Sequence, residues 1–105
     1  MLKDMNLENF SVLNCTKNIS KTTDIKHIII SVNMIDKNNP KSEEPVKMMC
    51  SFTINKDSYV KPMKVAFLDY KNFATLERCG TETVIEDIKF IENIFDKCEN
   101  KKLYL

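Results

Sequence analysis

The residues of this chain best suited to chemistry are four cysteines, Cys15, Cys50, Cys79 and Cys98, and one histidine, His27. A thiol beside an imidazole is a nucleophile–base pair for covalent catalysis. Cysteines in close Cys-x-x-Cys pairs are the usual ligands of structural zinc. Neither pattern is met. The thiols are scattered, and nothing in the spacing sets His27 beside any of them. Cys50 and Cys98 fall on apolar faces of their segments, where cysteine serves as a small hydrophobe. The single glycine, Gly80, excludes glycine-rich phosphate loops and the dinucleotide fingerprint. No catalytic residue, metal site or cofactor is expected.

Two further patterns are open to a chemical reading. Asn14-Cys15-Thr16 and Asn18-Ile19-Ser20 are glycan acceptors in a secreted chain, which would also oxidise its cysteines. The opening MLKDMNLENF has no apolar stretch of the kind a secretory leader carries, so the expected compartment is the cytoplasm of a cell or of an infected host, with reduced thiols. The second pattern interleaves Lys56, Lys61, Lys64 and Lys71 with Tyr59, Tyr70 and Phe73. Lysines that track phosphates beside rings that stack bases suit single-stranded nucleic acid. The net charge of +1 and the acidic Glu43-Glu44 pair weigh against it.

At 105 residues the chain makes one domain, 1–105, with a core of its own. Its longest aliphatic run, Ile28-Ile29-Ile30, is far too short to span a membrane. Abundant Lys, Asn and Ile fit an AT-rich genome, as of a phage, a large DNA virus, a firmicute or a parasite, and say nothing of function.

These residues must be positioned by strands and one helix. IKHIIISVNMI and VKMMCSFTIN alternate apolar and polar positions, the mark of half-wet antiparallel strands. The polar segment Asp36 to Pro45 reads as the loop between them. MKVAFLDY, Met63 to Tyr70, is apolar on both faces and predicts a strand with neighbours on either side. FSVLNCT, Phe10 to Thr16, is a further candidate strand, preceded by a helical turn at Leu2, Met5 and Leu7. NFATLERCG reads as a short helix or turn ending at Gly80. Thr83 to Cys98 is a helix, opened by the capping box of Thr83 and Glu86 and closed by Lys97, Lys101 and Lys102. The expected fold is α+β: an antiparallel meander of three to four strands packed against a C-terminal amphipathic helix.

That helix carries more apolar surface than one core contact requires. Val84, Ile88, Ile91, Phe95 and Cys98 form a seam with spacings of four and three, flanked by Phe90 and Ile94 on one side and Ile85 on the other, over an arc of roughly 220°. The seam has the spacing of a helix-pairing surface. The sequence therefore predicts a non-catalytic protein–protein interaction protein, an adaptor, inhibitor or assembly subunit. Val84, Ile88, Phe90, Ile91, Ile94 and Phe95 would dock a protein partner or a second copy in a homodimer. The wet sheet face or the Asp36 to Pro45 loop offers a second contact. The alternative is a single-strand binder using Lys56, Tyr59, Lys61, Lys64, Tyr70, Lys71 and Phe73.

Overall fold

The computed structural model describes residues 7–38, 46–69, 74–78 and 82–105. A short 3-10 turn, Leu7–Asn9, leads into β1 (Phe10–Lys21). There follow β2 (Ile25–Asp36), β3 (Val46–Asn55), β4 (Val60–Asp69), β5 (Ala74–Arg78), α1 (Glu82–Lys97) and β6 (Lys101–Tyr104). The six strands make one sheet in the order β5-β4-β3-β2-β1-β6. β1 to β5 pair antiparallel with their sequence neighbours, and β6 lies parallel to β1.

The α+β class and the antiparallel meander hold, but the sheet has six strands rather than three to four. Ala74–Arg78, expected as a helix or turn, is a strand because the outer edge of β4 offers it a ladder from Val65↔Arg78 to Asp69↔Ala74. Pairing overrides the weak helix signal. β6 has four residues, all exposed, and no periodicity that a sequence pattern reveals. β1 runs five residues past the expected Thr16 because it is paired along its length with β2. The turn expected at Leu2 and Met5, the charged loop beyond Asn38, and the side chain of Thr83 lie outside the described residues.

The core lies between one sheet face and α1. Ile28, Ile30, Val32 and Met34 of β2 stand opposite Phe52, Cys50, Met48 and Val46 of β3, and Val65 and Phe67 of β4 continue the layer. Val84, Ile88, Ile91 and Phe95 of α1 close it, and all are buried. Phe90 and Ile94, half-buried, pack against the same cluster. α1 lies across β4, β3 and β2 and reaches β1. The seam is therefore core rather than an exposed docking face, and four of the six residues expected to meet a partner have no surface to offer. The physical reason is the breadth of the apolar sheet face, which takes up most of the helix arc.

Two irregularities adjust the strands. Leu13 is the extra residue of a bulge in β1 between Val12 and Asn14, and it is exposed. A second shift, opposite Ser51 and Phe52, lets β4 carry Pro62, in a stretch where β5 does not pair with it. The β3–β4 turn is tied by Asn55, whose Oδ1 accepts from the backbone N–H of Asp57 and of Tyr59, each at 3.0 Å. Ser58 there has φ 62°, a left-handed conformation that costs a residue with a Cβ about 1–2 kcal/mol.

Ile91→Ala is expected to lower unfolding stability by about 2–5 kcal/mol in urea denaturation. Ile91→Asp should abolish the cooperative transition, whereas Lys89→Ala on the exposed side stays within about 0.5 kcal/mol. A folded Ile91→Asp would show that the seam is not core. In the same assay Ser58→Gly should raise stability by about 0.5–1 kcal/mol, because glycine tolerates positive φ.

Candidate functional site

The sheet face opposite α1 carries no packed element among the described residues. The register lays its side chains in rows. Lys102, Thr16, Ser31, Met49 and Ala66 form one row across five strands, and Tyr104, Asn18, Ile29, Ser51 and Lys64 the next. Ser31, Ser51 and Ala66 are buried among longer neighbours, while Ile29 and Met49 are half-buried. Asn33 donates from Nδ2 to Asn14 Oδ1 at 2.7 Å, and His27 Nε2 lies 2.8 Å from Ser51 Oγ. Side chains thus brace one another across strands and set a firm polar surface.

His27 meets a serine rather than a thiol. A serine–histidine contact becomes a nucleophile pair only when a third group orients the ring. β1 to β4 and β6 place no Asp or Glu on this face, so none of them supplies that group. The contact is a cross-strand brace. Among the described residues no cluster of three or more His, Cys, Asp or Glu could hold a metal ion. Nor, among them, is any helix long and apolar enough to cross a membrane.

The charge that β1 to β4 and β6 place on this face is one-sided, and β5 sets Glu77 at its far edge, opposite Ala66 in the register. Lys47, Lys61, Lys64 and Lys102 all stand on it by register. Of the residues expected to contact nucleic acid, Lys61 and Lys64 fall here, while Lys56 and Tyr59 sit exposed at the β3–β4 turn. Tyr70, Lys71 and Phe73 lie outside the described residues. Lys47, Lys102 and Tyr104 escaped the sequence reading. The strict alternation of VKMMCSFTIN does place Lys47 on the wet face, but β6 has no comparable signal.

The thiols divide by burial. Cys50 is fully buried between α1 and the sheet, and desolvation by burial pushes its pKa up to about 12. Cys15 is buried and Cys98 half-buried. At the edge of the helix-covered face, Lys17 and Lys101 hold their ammonium groups 5.4 and 5.3 Å from the Phe95 ring centroid. This is the range of cation–π attraction.

The fold and this face define a small α+β protein that presents side chains from one side of a mixed, mostly antiparallel sheet. The chain belongs to the family of unknown function DUF7325, whose model matches residues 1–105. No curated protein and no solved structure matches it.

Burial of the Cys50 thiol sets a pH dependence. Below 9.0, the ordinary value, the thiol is protonated in both states and its burial stabilises the fold. Above it only the unfolded chain ionises, so stability falls as pH rises from 9.0 toward about 12. Urea titrations across that window should give a shallower fall for Cys50→Ala than for the parent. Equal slopes would show that Cys50 ionises alike in both states.

Proposed function

We propose that the protein is a non-catalytic protein-binding module whose uncovered sheet face receives an acidic surface of a partner protein. The observation that carries this reading is the gathering of Lys47, Lys61 and Lys102 on a face to which β1 to β4 and β6 contribute no acid, with Glu77 of β5 at its far edge opposite Ala66. Such a surface raises the rate of encounter with an acidic partner and repels a second basic one. Two copies meeting face to face would set lysine against lysine, so a foreign partner is favoured over self-association. Half-buried Ile29 and Met49 supply an apolar centre, with the lysines at its rim. A reducing compartment such as the cytoplasm suits a module with unpaired Cys15, Cys50 and Cys98.

The nucleic-acid reading draws on the same lysines. Its weakness is aromatic: Tyr104 is the one Phe or Tyr that β1 to β4 and β6 place on this face, and the His27 imidazole is tied to Ser51, where a single-strand binder strings several free rings for stacking.

Affinity capture from source cells with the parent chain and with Lys47→Glu/Lys61→Glu/Lys102→Glu separates the readings. An acidic protein retained by the parent, lost with the triple variant and kept with Lys89→Glu/Lys97→Glu supports the proposal. Equal capture by both variants refutes it. Light scattering across a dilution series should give a monomer. Salt-sensitive binding of a single-stranded oligonucleotide, weakened by the triple variant, would favour nucleic acid instead.

A further inference from the structure

We propose that Cys15 and Cys98 are a reversible dithiol–disulfide pair that latches β6 and the end of α1 onto β1. The inference is independent of the binding face, which lies on the other side of the sheet. It starts from Asn100. The backbone carbonyl of Asn100 accepts the Cys15 N–H at 3.0 Å and the Cys98 thiol at 3.4 Å, so one oxygen draws both cysteines to the same point. The Asn100 side chain donates to the Leu13 carbonyl at 3.4 Å, which ties the segment to the β1 bulge. After burial, the Cys98 side chain is the group that acts most on the Cys15 thiol, as expected of two thiols close together. Neighbouring thiols on fixed backbones are the starting arrangement from which a disulfide closes with little movement.

The two sulfurs differ in a way that sets the order of steps. Cys15 is buried, and burial followed by the Cys98 contact pushes its pKa up to about 12. Cys98 is half-buried at the surface end of the helix. Cys98 is therefore the sulfur that a small oxidant meets first.

The oxidant is a low-molecular-weight disulfide such as oxidised glutathione. Cys98 loses its proton to solvent, and its thiolate attacks one glutathione sulfur. The glutathione disulfide breaks, one glutathione leaves as thiolate and takes up a proton, and a mixed disulfide remains on Cys98. Cys15 then gives its proton to solvent and attacks the Cys98 sulfur. The Cys15–Cys98 bond forms as the second glutathione leaves and is protonated. Two protein thiols lose two electrons and two protons, and the oxidant becomes two glutathione thiols.

The bond would join β1 to the end of α1 across nearly all the intervening chain, and such long closures restrict the unfolded state most. It would also pin the entry to β6, whose four residues are all exposed and which is paired on one side by β1.

The test equilibrates the reduced, folded full-length protein with oxidised glutathione, blocks remaining thiols and maps peptides by mass spectrometry. A Cys15–Cys98 cross-link, a Tm rise of roughly 5 °C and slower amide exchange across Lys102 to Tyr104 are expected. Cys15→Ala should hold one glutathione on Cys98, and Cys98→Ser should leave Cys15 as a free thiol. A parent chain that stops at the Cys98 mixed disulfide, or that cross-links another pair, overturns the proposal. A cross-link that leaves exchange across β6 unchanged overturns the latch.

Discussion

One constraint governs this molecule: a wide apolar sheet face has a single helix to cover it. Three adjacent antiparallel strands, β2, β3 and β4, bring Ile28, Ile30, Val32, Met48, Cys50, Phe52 and Val65 onto one side. Left wet, that side would hold the largest apolar surface in the protein. α1, 16 residues and about 24 Å long, crosses β4, β3 and β2 and reaches β1, which leaves the chain beside β1. The parallel placement of β6, the meeting of Cys15 and Cys98 at Asn100 and the lysines over Phe95 all follow from where the helix ends.

Much of this was legible in the residues. β3 was readable to its ends, because VKMMCSFTIN alternates without a fault and each apolar residue has a partner in β2. α1 was readable within a residue or so, since its charge pattern and its periodicity agree. What escaped was what depends on neighbours. β5 and β6 are edge strands whose ladders are supplied by β4 and β1, so local propensity says little about them. The helix seam was visible as apolar, but its fate was not. A four-three spacing serves a sheet as well as another helix, and only the area of the opposing surface decides between them.

The uncovered face obeys the opposite logic. Its hydrophobic residues are few, its hydroxyls and amides bond across strands, and the charges that β1 to β4 and β6 place on it share a sign. In an antiparallel sheet with one wet side, the period of two keeps these tasks apart: odd positions of β3 hold lysine, methionine and serine while even positions hold the core. A substitution in β3 therefore tests either the fold or the surface according to the parity of its number. Cys50 and Ser51 are adjacent in sequence and answer to different requirements.

The partnership of β6 with β1 also has a consequence in time. β2 to β5 and α1 all lie between these two strands in the sequence, so their ladder is the longest-range contact in the sheet. During synthesis β1 emerges early, pairs with β2 on one flank, and keeps its other flank bare until the helix and the last strand have left the ribosome. The bulge at Leu13 lies on that waiting edge and twists it, which is a recognised way of discouraging foreign strands from joining a sheet. A kink that looks like a local defect in the finished protein would then guard a half-made one.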